Sequence, residues 1–84
     1  MKYKLIRVND NKIIEANLIK FIEWDEEGKF SNLYDEPGIG RSVILDPKLR
    51  NYKWMTTEII SFNYDGDNLL FSTKNSNYVL EIVK

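Results

Sequence analysis

The side chains able to do chemistry are of few kinds. Histidine and cysteine are absent, which removes imidazole bases, thiolate nucleophiles, disulfides and the usual zinc ligand sets. Ser42, Ser61, Ser72 and Ser76 carry hydroxyls but have no histidine to activate them, and no motif points to a Ser–Lys pair. Carboxylates gather at Glu23, Asp25, Glu26 and Glu27, then at Asp35 and Glu36. Paired carboxylates can cleave glycosides or hold a divalent cation. This run closes on Gly28, however, and reads first as a solvated hairpin tip. Asp65-Gly66-Asp67-Asn68 opens like a calcium loop and then departs from it. Its sixth position is Leu70 where glycine is needed, and its twelfth is Ser76 where glutamate is needed. No enzymatic activity, metal or cofactor is expected.

Binding chemistry is better represented. Gly38-Ile39-Gly40-Arg41-Ser42 contains a short Gly-x-Gly. A dinucleotide fingerprint needs a third glycine and a following helix, and neither is present. Turn punctuation is the first reading; the functional one is a loop of backbone N–H groups that cradles an anion, helped by Arg41. Thr56-Thr57 and Ser72-Thr73-Lys74-Asn75-Ser76 put hydroxyls and amides inside β-rich segments. Such groups form cross-strand hydrogen bonds and also recognise phosphates, with Arg41, Arg50, Lys53 and Lys74 as the cations. Among the aromatics, Trp24, Phe62, Phe71 and Tyr78 are expected in the core, since a small domain needs its large side chains there. Trp54, beside Lys53, is the expected exposed anchor for a partner. Asp25, Glu26 and Glu27 form an acidic tip suited to a basic partner.

The elements that must position these groups read as strands. Tyr3–Val8 alternates, and Asn9-Asp10-Asn11 is a turn. Residues 13–24 meet helix spacing at Ile14, Leu18, Phe21 and Ile22. They also meet strand alternation at Ile14, Ala16 and Leu18, which then shifts to Ile19 and Phe21. A bulge near Leu18-Ile19 would produce that shift, and the β-branched and aromatic content favours strand. Lys29–Tyr34, Arg41–Leu45, Tyr52–Tyr64, Leu69–Thr73 and Tyr78–Val83 are further strands, with Asp65-Gly66 as a hairpin turn. Strands at this spacing predict an all-β fold: a small SH3-like barrel or sandwich of six to seven short strands.

The chain has 84 residues, 43% of them hydrophobic, with 12 Lys and Arg against 13 Asp and Glu. One domain over residues 1–84 follows from the length. The near-neutral charge argues against a duplex-binding module and weakens a single-strand RNA reading. No apolar run is long enough for a membrane span or a signal peptide, so a cytoplasmic location is expected.

Three segments carry a family resemblance. They are Gly40-Arg41-Ser42-Val43-Ile44-Leu45, Thr56-Thr57-Glu58-Ile59, and Phe71-Ser72-Thr73-Lys74-Asn75-Ser76-Asn77-Tyr78-Val79-Leu80. Together they resemble a family of very small bacteriophage and bacterial proteins. The pattern runs Gly-x-Ser-aliphatic, Thr-Thr, then Phe-x-Thr-x-Asn-Ser-x-Tyr-x-Leu, and it covers the C-terminal half. The resemblance implies a phage origin, in the cytoplasm of the host. It also implies that Ser42, Thr56, Thr57, Thr73, Asn75, Ser76 and Tyr78 form one shared constellation, either a ligand pocket or a hydrogen-bonded structural corner. The functional expectation is a non-catalytic anti-defence protein, a homo-oligomer that sequesters a small anionic, nucleotide-like ligand. The ligand residues would be Arg41, Ser42, Thr56, Thr57, Thr73, Lys74, Asn75, Ser76 and Tyr78. The alternative is an inhibitor or adaptor that binds a host protein through Trp54 and the acidic hairpin at Asp25, Glu26 and Glu27.

Overall fold

A computed structural model describes residues 2–48 and 51–83. Eight strands run antiparallel: β1 (Lys2–Arg7), β2 (Lys12–Ala16), β3 (Ile19–Trp24), β4 (Phe30–Tyr34), β5 (Ser42–Leu45), β6 (Trp54–Asp65), β7 (Asn68–Thr73) and β8 (Asn77–Val83). Their order in one sheet is β2-β1-β8-β7-β6-β5-β3-β4. Six of the seven expected strands appear at their expected places. The extra one comes from residues 13–24, which divide into β2 and β3 instead of forming one bulged strand.

That division shapes the molecule. β2 lies at one edge of the sheet and β3 is next to the other edge, yet only Asn17 and Leu18 separate them. Ala16 and Ile19 are three backbone steps apart, at most about 11 Å, so the sheet has to curl until β2 comes near β3, giving a half-barrel. Asp46 fixes the corner. Its Oδ1 accepts the backbone N–H groups of Asn17 (2.9 Å) and Leu18 (3.0 Å), while its own N–H donates to Leu18 O. Asp46 does this at φ 49°, a left-handed conformation that Asp tolerates better than most residues. Lys53 Nζ closes the seam by donating to Glu15 O at 2.6 Å.

β6 belongs to both halves, pairing with β5 on one side and β7 on the other, and its register shifts once against each. Bulges bend a strand and increase its twist, so these two shifts are where the curl is built. The core lies inside the curl. Leu5, Phe21, Val43, Leu45, Ile59, Leu69, Phe71, Tyr78 and Leu80 are buried together, with Trp54 and Phe62 packed half-buried against them. Tyr78 stacks on Phe71 with ring centroids 4.9 Å apart. Trp24, by contrast, stands outside this cluster, on the outer face with Ile22 and Ile44. Among the described residues no helix is long and apolar enough to cross a membrane.

Candidate functional site

The expected ligand and partner residues fall into four places. The first is the β5–β6 pairing. Between Ser42↔Glu58 and Ile44↔Met55, Val43 faces two residues, Thr56 and Thr57. The bulge takes the Val43 N–H out of the regular ladder, and Thr56 Oγ1 accepts it at 3.0 Å while donating to Thr57 O. Beside it, Ser42 Oγ accepts the Trp24 indole N–H at 2.9 Å. Ser42 and Thr56 are buried, and their hydroxyls serve the fold. The Thr-Thr and Gly-x-Ser elements therefore meet in a hydrogen-bonded corner.

Arg41 is occupied in the same sense. Its guanidinium lies 3.7 Å from the Tyr34 ring centroid, donates to Glu36 O at 3.0 Å, and approaches Glu23 at 3.9 Å. A Cβ on Gly38 would come within 2.9 Å of Arg41 Nε, so that glycine makes room for the arginine. Gly40, at φ 86°, turns the chain and donates its N–H to Ile59 O. In this Gly-x-Gly, one glycine admits a side chain and the other reverses the backbone.

The second place is the β7–β8 turn. Thr73 is buried, and its N–H and Oγ1 both donate to Ser76 O. Tyr78 is in the core. Lys74 and Asn75 are exposed and, with Thr57, Glu58 and Ile60, line an open recess of about 300 Å3. Three of the nine expected ligand residues thus share one recess, while Arg41, Ser42, Thr56 and Tyr78 do not line it. Arg50 lies outside the described residues.

The third place is Trp54. It is half-buried, with the Arg7 guanidinium 5.5 Å and the Lys12 ammonium 5.1 Å from its ring. Among the described residues its Nε1 is a buried donor without a partner. Arg7 in turn bonds Asp10, at 2.7 Å for the closer contact. That hydrogen bond lowers the Asp10 carboxyl from 3.8 to about 2 and raises the arginine.

The acidic hairpin has its own geometry. Asp25 Oδ1 accepts the backbone N–H groups of Glu27 and Lys29, both at 2.9 Å, so Asp25 builds the turn. Glu26 and Glu27 project into solvent, with Lys29 3.5 Å from Glu27. β4 follows as the sheet's edge strand and, among the described residues, pairs only with β3. Simple alternation would place Phe30 and Leu33 on opposite faces. The register shift at Glu23/Trp24 sets Phe30 against Trp24 and Leu33 against Ile22 instead. Directly opposed residues share a face, so both side chains lie on the outer face, 57% and 49% exposed. Sequence reasoning passed over this pair. Its only signal is a spacing of three in a strand, which needs the bulge at Ser31 to make sense.

Among the described residues no cluster of three acidic side chains is arranged to hold a metal. No family model, curated protein or solved structure matches the chain.

Proposed function

We propose that the protein is a non-catalytic binding module that captures an extended, basic segment of a partner protein as an added strand along β4. The observation that carries this reading is the outer edge of β4, unpaired among the described residues, with Phe30 and Leu33 brought to one face by the bulge. A strand added to a sheet edge gains main-chain hydrogen bonds, and its side chains are selected by the neighbouring surface. That surface is apolar at Phe30 and Leu33 and acidic at either end, with Glu26 and Glu27 on one side and Asp35 and Glu36 on the other. Glu23–Glu36 carries six carboxylates and one lysine, leaving eleven cations against seven carboxylates elsewhere. Such segregation speeds encounter with a basic partner and disfavours acidic ones. We also read the curl as an SH3-like barrel, which fits a chain of this length whose β4 lies at a sheet edge.

The test is fluorescence anisotropy with a labelled ten-residue peptide of alternating lysine and valine, at low salt. Saturable binding is expected, weakened at least tenfold by Leu33→Ser and by the pair Glu26→Lys and Glu27→Lys. Asp25 is left intact because it holds the turn. Equal binding by these variants, with unchanged far-UV circular dichroism, would sink the reading.

A second reading, sequestration of a small nucleotide-like anion, is favoured by Thr57, Lys74 and Asn75 sharing one recess. Here an oligomer encloses the ligand and withholds it from host signalling. Native mass spectrometry of the purified protein distinguishes the two. An oligomer with a retained nucleotide-sized mass supports sequestration, and a bare monomer supports the edge-strand reading.

A further inference from the structure

The outer face of the half built from β2, β1, β8 and β7 carries side chains that the core does not use. Ile14, Leu5, Leu80 and Leu69 point into the core, so their chain neighbours point outwards. Register sets those neighbours in rows across the strands. One row runs Ile13, Ile6, Val79 and Leu70, from β2 to β7. All four are aliphatic; Ile13 is 56% exposed and the other three are half-buried. The row on one side runs Glu15, Lys4 and Glu81, and alternation on β7 places Asn68 at its end, beside Glu81. Among the described residues neither Lys4 nor Glu81 is in an ion pair. On the other side Asn77 and Ser72 are opposed, uncharged and hydrogen-bonded to each other.

We propose that this face binds a second copy of the chain, about a two-fold axis that runs parallel to the strands between β1 and β8. A two-fold interface must complement itself, because every contact is repeated with the two copies exchanged. This axis lays β1 of one copy over β8 of its partner and sets each row on its own counterpart. Ile6 then meets the partner's Val79, and Ile13 meets the partner's Leu70. Lys4 meets the partner's Glu81 and Glu81 meets the partner's Lys4, so the four charges alternate around the axis. Glu15 meets the amide of the partner's Asn68. A two-fold axis along the rows would instead lay the charged row on Asn77 and Ser72, and desolvate Lys4 and Glu81 with no counter-charge from the partner. The charges therefore choose the register, and the aliphatic row supplies the attraction. Strands about 4.8 Å apart that rise about 3.3 Å per residue give this four-strand face roughly 400 Å2 in projection. A standard interface buries about 800 Å2 on each partner, so the dimer is reversible and depends on concentration. It needs no ligand and leaves β4 out, so it is independent of both readings above.

The experiment is analytical ultracentrifugation of the intact protein over a wide range of concentration. The average mass is expected to rise towards twice that of the monomer. Ile13→Lys, at an exposed position, should weaken association at least tenfold, and Leu33→Ser should leave it unchanged, which separates this face from the edge strand. Lys4→Glu and Glu81→Lys test the register. Each variant alone sets like charges against each other across the axis and should stay monomeric. Mixed in equal amounts, the two should associate, because each supplies the charge that the other lacks at both contacts. A loss of folding in either variant cannot produce that rescue. A mass that stays monomeric at every concentration overturns the proposal and leaves the face to a partner of another sequence. So does a dimer indifferent to Ile13→Lys, or a mixture of the two charge variants no more associated than either alone.

Discussion

At the scale of single residues, two of the hydroxyls that look like binding groups, those of Thr56 and Thr73, serve the backbone. Thr56 shows why. A bulge denies Val43 its ladder partner, and a buried N–H without an acceptor is costly. Thr56→Val keeps the shape and removes the acceptor, so it is expected to destabilise the fold by about 1–3 kcal/mol, read from urea denaturation. An unchanged midpoint would remove the corner from this account. The two tryptophans give a contrast. Trp24→Phe breaks the bond to Ser42 and should cost about 1 kcal/mol beyond its packing loss. Trp54→Phe removes a donor that has no partner among the described residues, and should cost less than Trp24→Phe in the same assay. Asp10 supplies a titration test. Its carboxyl is lowered to about 2 by the Arg7 hydrogen bond, so the folded form holds the charge more tightly than the unfolded chain. Its stabilising share is therefore complete above about pH 3.8 and is lost as pH falls through that value towards 2. Carboxyl NMR should show a midpoint near 2, returning to the ordinary range in Arg7→Gln; an unmoved midpoint would refute the pairing.

At the scale of elements, the corner between β2 and β3 and the edge at β4 are opposite solutions to the same problem. Sheet edges expose backbone groups and invite pairing. On β2, Lys53 occupies one such group, Glu15 O, and Asp46 holds the chain as it leaves the strand. Asp46→Ala removes two hydrogen bonds from a charged acceptor and is expected to cost about 1–3 kcal/mol. Asp46→Asn keeps an acceptor oxygen and a tolerance for positive φ, and should cost clearly less. Equal losses in thermal unfolding would mean that charge, not corner geometry, is what matters. On β4 no lysine or proline guards the edge, and Phe30 and Leu33 flank it.

For the whole molecule, the consequence of β6 is cooperativity. It is bonded to strands of both halves, and Phe21 and Phe71 from opposite sides of it share one core. Neither half retains its inner face if the other opens. Tryptophan fluorescence, which reports Trp24 and Trp54, and far-UV circular dichroism should therefore show coincident urea transitions. Separated midpoints would mean that the halves are independent. The charge segregation is also a whole-chain property. The net charge of −1 conceals an acidic hairpin on an otherwise basic body, so binding at β4 should weaken as salt rises.

Local pattern in the chain was enough to determine the all-β class, most strand positions, and the turns at Asn9-Asp10-Asn11 and Asp65-Gly66. Alternation and turn chemistry act over a few residues, and those residues are adjacent in sequence. The family resemblance grouped Ser42, Thr56, Thr57, Thr73, Asn75, Ser76 and Tyr78, and the fold divides that group between the β5–β6 pairing, the β7–β8 turn and the core. Whether they face a ligand or a neighbouring strand depends on which segments pair, and pairing is not a local property. Residues 13–24 carried the signal of a strand that changes face. Only the curl, which brings Asp46 to Asn17 and Leu18, turned that change into a corner. The placement of Phe30 beside Leu33 rests on a one-residue register shift against β3, and the shared core of Phe21 and Phe71 rests on two sheet halves facing each other. Both are products of long-range pairing, where a shift of one residue reverses every side chain that follows. That is why the tertiary structure decided them.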